Sequence, residues 1–531
     1  MPEVTIGAAT SVPPNTAQAR YSLLSSPRDM YLQRARANSK LTLPSLIPNE
    51  GTSSASSFYQ AYQSVGANGV NNLASKLLLS MMPATAPFFR LDIDEFETAR
   101  MAAEAGDDMV SEINKTLSLI ERATMSDVAA KADSVTLNEA LLHLIVGGNA
   151  LLHDDEKEDA GLRMFSLEKY VCVRDGRGQP MEIVVKECLS PSTLPQEVQD
   201  LINNSAEAES MKDAEKSVEV YTWLRRGKSQ WTVCQEVLGQ KIPSSEGTYP
   251  LKAFPWYPLR MVRVSGEDYG RGYVDSYFGD LKSLDALSQA IVEGTAAAAK
   301  VLFLVNPNGT TTKETLAKAP NGAIRSGNAE DVSVLQLEKY NDFRVCLETM
   351  SRLETRLGHA FLLSSAVTRD AERVTAEEIR AQIQELQDAL GGVYSLLTQE
   401  FQAPFIKTRL AILGKRKDWP KLPPTIKIRI TSGLEALGRG HDRNRLLSFM
   451  DTINKTAGPE ALQRYVHLSE AIKRLAIADG LVIDGLIKSK DEIAQEMQAA
   501  QMSQVGQTIG PELVKSISAQ QQQAAAAPPP A

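Results

Sequence analysis

YVDSYFGDLKSLDALSQAIVEGTAAAAK (273–300) sets Val274, Tyr277, Phe278, Leu281, Leu284, Leu287 and Ile291 along one side of a helix and closes in a run of alanines. Spacings of three and four residues give an apolar stripe wide enough to bury, and the alanines allow a neighbouring helix to come close. A compact insertion follows, with turns at NPNG (306–309) and APNG (319–322), and then a second helix, NDFRVCLETMSRLETRLGHAFLL (341–363). A helix, a turn-rich insertion and a returning helix form the frame on which the rest of the chain is read.

Beyond the second helix lies SSAVTRDAERVTAEEIRAQI (364–383), a charged loop carrying Arg369, Asp370, Glu372 and Arg373 but neither Gly nor Pro. Its boundary is set instead by a strong helix start. In Thr375-Ala376-Glu377-Glu378 the threonine side chain can accept from the Glu378 amide while Glu378 reaches back to residue 375, which is a capping box. The helix it opens repeats Ile379, Ile383, Leu386, Leu390, Val393, Leu397 and Phe401, a pattern suited to packing on another helix. Gly391 and Gly392 interrupt it and predict a kink. Past Pro404, KRKDWPKLPPTIKIRI (415–430) concentrates Lys415, Arg416, Lys417, Lys421, Lys427 and Arg429 against Asp418 alone. It reads equally as a DNA contact and as a solvated loop with a strand.

Upstream, the chain from about 17 to 145 is mostly helical. GANGVNNLASKLLLSMMP spaces Val70, Leu73, Leu77 and Met81 for a buried stripe that Pro83 ends, leaving Asn71, Asn72 and Lys76 off that stripe. Between 160 and 265 the period changes to two, and RMFSLEKYVCVRDGRGQPMEIVVKE and VEVYTWLRRGKSQWTVCQEV read as antiparallel hairpins, with Val218, Val220, Thr222 and Leu224 opposite Trp231, Val233 and Val237. The fold class is therefore α+β, mainly helical. DDEKED (154–159) reads as a solvated loop or a cation site, without the spacing of a calcium loop.

Composition narrows the function. With 57 Lys and Arg against 65 Asp and Glu, the chain carries a net charge of −8 and is not a polyanion binder as a whole. Cys172, Cys188, Cys234 and Cys346 form no CxxC pair, so neither a zinc site nor a disulfide framework is expected and a reducing cytoplasm is the natural setting. The N-terminal residues lack a basic stretch followed by an apolar core, which argues against a secretory signal. The most apolar run, ALLHLIVGGNALL (140–152), falls short of the roughly 20 residues a membrane helix needs. No Walker A, GxGxxG, GxSxG or HExxH sequence occurs, and the histidines at 143, 153, 359, 441 and 467 have no ligand spacing. No catalysis, metal or cofactor is expected.

Several segments then agree in order and spacing. NNLASKLLLSMMP, GTYPLKAFPWYPLRMVRVSGEDYGRGYVDSYFGDLKSL, LVNPNG, ERVTAEEIR, LGGVYSLLTQEFQ and SGLEALGRG resemble the portal, or head-to-tail connector, proteins of short-tailed bacteriophages of the autographivirus type, over about residues 20 to 480. The resemblance implies a portal fold with wing, stem, clip and crown, assembled as a dodecameric ring around a channel for double-stranded DNA. It implies a wing over 1–272, a first stem helix over 273–300, a clip over 301–340 and a second stem helix over 341–363. The tunnel loop would be 364–374, a long kinked helix returning to the wing 375–435, crown helices 436–505 and a disordered tail 506–531. On that reading Arg369, Asp370, Glu372 and Arg373 line the DNA channel, near neutral so that the duplex slides. Lys415, Arg416 and Lys417 are the other candidate DNA contacts. The partners implied are a terminase ATPase, a tail adaptor protein, the major capsid and scaffold proteins and internal core proteins. The place implied is the capsid vertex of the virion after assembly in the host cytoplasm, with no membrane. The competing reading is a non-catalytic DNA-binding structural protein that forms no ring.

Overall fold

A computed structural model describes residues 16–52, 56–83, 87–93, 100, 107–155, 160–203, 217–298, 302–320, 322–324, 326–335, 340–363, 390–416, 419–420, 426–430, 434–458, 466, 471–472 and 475. The chain forms two compact units, Met1–Ala436 and Leu437–Ala531.

The first unit opens with α1 (Ala17–Leu41), α2 (Val65–Met81), β1 (Phe89–Ile93), α3 (Asp107–Ala130) and α4 (Asp133–Gly147). Val70, Leu73, Leu77 and Met81 of α2 are buried, as their spacing predicts, in one core with Leu137, Leu141 and Leu144 of α4. The apolar run at 140–152 is divided by a turn. The helix ends at Gly147, Gly148 turns left-handed at φ 78°, and β2 (Asn149–Asp154) begins at once. A Cβ on Gly148 would lie 2.4 Å from the Arg271 backbone, so both the φ and the contact require glycine.

Antiparallel strands follow. β3 (Leu162–Ser166) pairs with β2, while β4 (Tyr170–Arg174) and β5 (Pro180–Leu189) start a second sheet. After α5 (Gln196–Asn203), that sheet continues through β6 (Val218–Arg226), β7 (Gln230–Val237) and β8 (Gln240–Pro250) in the order β4-β5-β6-β7-β8. Val220 lies across from Val237 and Leu224 across from Val233, so the two apolar sets face one another as the alternation predicts. The sheet is covered on both faces. Tyr21 of α1 packs with Tyr221 and Trp223, while Val198 and Ile202 of α5 pack with Val218 and Val220. β9 (Trp256–Arg260) joins the other edge of β2 in a three-stranded sheet.

Next come α6 (Phe278–Ala298), β10 (Leu302–Val305), α7 (Lys313–Ala317), β11 (Val332–Leu335) and α8 (Tyr340–Ala360), with β10 and β11 paired antiparallel. Leu281 and Leu284 of α6 are fully buried. A Cβ on Gly294 would come within 2.8 Å of the Phe343 ring, so α6 meets α8 closely near its small-residue end, and an Arg356–Asp280 ion pair ties the two helices together.

Residues 390–397 are helical, a π turn occupies Thr398–Gln402, and α9 (Ala403–Leu413) continues the rod. β12 (Ile426–Ile430) then pairs with β1, placing Phe89 across from Ile430, Leu91 from Ile428 and Ile93 from Ile426. The second unit includes most of α10 (Leu434–Ala457), which carries a Lys455–Asp451 pair one turn apart. Among the described residues no helix is long and apolar enough to cross a membrane.

Candidate functional site

The place where α8 ends is built with unusual completeness. The amide of Leu363 donates to the Gly358 carbonyl at 2.7 Å and that of Leu362 to His359 at 3.1 Å, the paired bonds of a Schellman cap. Glycine usually takes the left-handed position of such a cap, but here it is Leu362, at φ 56°. A leucine held there costs roughly 1–2 kcal/mol, and its side chain is buried, so a glycine would lose apolar contacts at this position. The remaining carbonyls are taken by side chains from elsewhere. Tyr273 donates its hydroxyl to the Ala360 carbonyl at 2.8 Å, and Asn72 donates to Phe361 at 3.0 Å and Leu362 at 3.1 Å. Lys76 donates to the Leu362 carbonyl at 2.8 Å, a cation at the negative end of the helix dipole.

Phe361 is wedged beneath α2, where a Cβ on Gly69 would approach its ring to 2.5 Å. Replacing Gly69 by Ala is expected to destabilise the first unit by about 1 to 3 kcal/mol, because neither helix can retreat from a closed core. Gly279→Ala is the control: its Cβ would meet nothing within 4 Å, so a neutral or stabilising change is expected. Thermal melting of the two variants checks the contrast.

The returning segment enters the same core through buried charge. Leu390, Val393, Leu397 and Phe401 are buried, so the described half of the expected stripe faces inward. The π turn admits one more residue than an α-turn; within it Glu400 reaches Arg260, with Oε1 2.5 Å from Nη2 and Oε2 accepting the Arg260 amide at 3.0 Å. Arg174 stands beside it at 3.5 Å. Both guanidiniums are also held by the Gly178 carbonyl. Burial, with Arg174 next in importance, lowers the pKa of Arg260. Gln402 donates to the Met81 carbonyl at the end of α2, and Phe401 stacks on Phe405.

Two turns later Arg409, with no exposed side-chain surface, meets three carboxylates from three elements. Asp133 of α4 lies at 2.9 Å, Asp154 of β2 at 2.7 Å and Asp127 of α3 at 3.1 Å. Asp133 also caps the Leu162 amide. Asp154 is close to the guanidinium but off the axis of a hydrogen bond, and its oxygens accept no hydrogen bond from the described residues. Burial therefore dominates and raises its pKa from 3.8 to about 7, and it raises Asp133 as well. A carboxyl whose pKa is higher in the folded chain than in the unfolded one favours folding while protonated. Its contribution is whole below about pH 4 and is lost as pH rises through 7. Asp154→Asn keeps the neutral form at every pH, so its stability relative to the parent should rise by about 1 to 4 kcal/mol between pH 4 and pH 8. Urea unfolding at those two pH values measures it.

This interlocked arrangement of α2, α6, α8 and the returning segment coincides with a match along nearly the whole chain. The family described as bacteriophage head to tail connecting protein matches residues 14–484. The chain belongs to that family. Among similar connectors, the portal protein of Escherichia phage T7 is 36% identical over 96% of this chain and 95% of its own length. That of Enterobacteria phage T3 is 38% identical over 92% and 91%, and that of Pseudomonas phage phiKMV is 30% identical over 90% and 94%.

In this connector, Arg369, Asp370, Glu372, Arg373, Thr375 and Glu378 lie outside the described residues, as does Lys417. Gly391 and Gly392 lie in helix, with open space around them, and the departure from α-helical bonding in the described part falls at Thr398–Gln402. Lys415 and Arg416 are exposed at the end of α9, and Arg416 lies 3.7 Å from Asp127. On β12, Lys427 stands across from Asp92 of β1 and Arg429 across from Arg90. The basic run therefore gains acidic neighbours that the linear sequence does not place beside it.

The acidic run needs a correction. Asp154, read as part of a solvated loop or cation site, is completely buried on β2 against Arg409, because the strand continues one residue into the acidic stretch. His143 is buried and His153 half-buried; loss of water around each lowers both pKa values to about 4, and His153 stacks on Trp256 at 3.8 Å. The four cysteines are free thiols. Sequence reading missed Glu400, Arg260, Arg409, Tyr273 and the roles of Asn72 and Lys76. For Asn72, Lys76, Glu400 and Arg409 a charged or amide residue on an otherwise apolar helix edge is the signal; Arg260, on a strand, and Tyr273, in a turn, carry none.

Proposed function

We propose that this connector is a portal protein: a ring at one capsid vertex through which double-stranded DNA enters during packaging and leaves on ejection, and on which the packaging motor and tail assemble. The observation that carries the reading is the family match over residues 14–484 together with relatives named portal protein that align over nine-tenths or more of both chains. In the ring the first unit supplies the wing, with α6 and α8 as stem helices and the β10–β11 insertion as clip. Val292 on α6 and Val345 and Leu347 on α8 are more than half exposed in the single chain, and neighbouring subunits would cover such positions. We assign twelve subunits, a channel loop over 364–374 with Arg369 and Arg373 near phosphates, and a crown beyond residue 436. We also assign contacts with a terminase ATPase, a tail adaptor, capsid and scaffold proteins and internal core proteins. The chain itself carries no catalysis in this scheme.

The test is the mass and shape of the purified protein, from light scattering on a sizing column and negative-stain images of the same peak. Closed rings with a central hole of duplex width are expected. A monodisperse monomer or dimer at concentrations used for head assembly would overturn the proposal.

A further inference from the structure

Each backbone carbonyl from Leu357 to Leu362 has a partner drawn from residues up to Leu363. Amides of Phe361, Leu363 and Leu362 serve the first three, and Tyr273, Asn72 and Lys76 serve the rest. A helix end that merely stops needs none of these side chains, since water satisfies its last carbonyls. Here two other parts of the fold converge on it. α2 supplies Asn72 and Lys76 from the edge of its stripe, each followed by a buried leucine, Leu73 and Leu77, and the turn preceding α6 supplies Tyr273.

The left-handed Leu362 points the same way. A strained backbone at a non-glycine residue persists only where the surroundings over-determine it. Asn72 and Lys76 both grip the carbonyl of that residue, and its side chain is buried. Phe361, beneath Gly69, prevents α8 from sliding along α2.

We propose that Asn72, Lys76 and Tyr273 are positioning residues that lock the exit of α8 onto α2, so that the chain beyond Leu363 departs from a point fixed by the core of the first unit. The functional consequence rests on the portal reading. In a ring, the same lock in every subunit holds the starts of the channel-facing segments at one radius, and its loss lets packaged DNA slip back.

The experiment uses full-length rings of Asn72→Ala, Lys76→Met, the double variant and Lys76→Arg. Hydrogen exchange is read at the Leu362 and Leu363 amides, and DNA retention in heads assembled with each ring. In the double variant, rings of normal mass should exchange at those two amides tenfold faster or more, with the middle of α8 unchanged, and heads should retain several-fold less DNA. Lys76→Arg should retain most of the parental protection and DNA retention, because it keeps a cation at the helix end. Unchanged exchange overturns the lock, and faster exchange with parental DNA retention overturns its role in positioning. Should the double variant fail to form rings, Asn72→Ala alone is read by the same criteria. If parental rings themselves support no packaging, the portal reading fails, while the exchange rates still decide the lock.

Discussion

Replacing Glu400 by Gln lowers the stability of the first unit by about 3 to 5 kcal/mol, the usual cost of removing one partner from a buried charge pair. The amide keeps the shape of the carboxylate but removes the negative charge that contacts the guanidiniums of both Arg260 and Arg174, whose side chains are 2% and 4% exposed. Backbone carbonyls of Gly178 and Pro258 continue to hold the guanidiniums, yet they cannot neutralise them. Entropy of unfolding grows with chain length, so for a cooperative unit of this size each kcal/mol corresponds to roughly 1 °C, and a fall in melting temperature of about 3 to 5 °C is expected. Glu348→Gln is the matched control. Glu348 pairs with Arg352 on the exposed surface of α8, at 65% and 79% side-chain exposure, where such a pair contributes at most about 0.5 kcal/mol. Equal effects of the two substitutions would show that the π turn is held by its apolar contacts and not by Glu400.

Arg409→Leu produces a loss of similar size with a different signature. The leucine leaves Asp133 and Asp154, both without exposed side-chain surface, facing one another and Asp127 with no guanidinium between them. Asp133 and Asp154 must then protonate to stay buried, which raises their folded-state pKa values beyond the elevation that burial already gives them. The sign follows from linkage: protons bound in the folded chain and released on unfolding stabilise the fold at low pH and are lost as pH rises. The deficit relative to the parent should therefore be small near pH 5 and grow to about 3 to 5 kcal/mol by pH 8. Adding Asp133→Asn and Asp154→Asn to Arg409→Leu should recover most of it, since the carboxylates rather than the missing cation carry the penalty. Urea unfolding of the single and triple variants at the two pH values reads this, and a pH-independent deficit would show simple loss of packing instead.

These two charge networks mark the boundary of what local sequence conveys. Helical spacing foretold the buried stripe of α2 from Val70 to Met81, and alternation foretold that the Val220–Leu224 set faces Val233 and Val237 across the hairpin. Local rules suffice there because the residues that define each pattern lie within a few turns or across one hairpin. The same rules do not say what covers the central sheet: Tyr21 packs on one face and Ile202 on the other, and each comes from a separate helix. They also read Asp154 as solvated, since a carboxylate in an acidic run is ordinarily exposed; a strand that extends to it and an arginine on α9 reverse that.

By itself, then, the sequence determined the stripe of α2, the central hairpins, the α+β class and the family, because periodicity and an ordered series of motifs are properties of the linear chain. Only the tertiary structure decided which charges are buried and against what. Glu400 finds Arg260, Arg409 finds Asp133, and Asn72 finds Phe361 across separations of 140, 276 and 289 residues. No local propensity encodes such pairs; they form when burial removes water and leaves each polar group only the partner that packing has brought within reach.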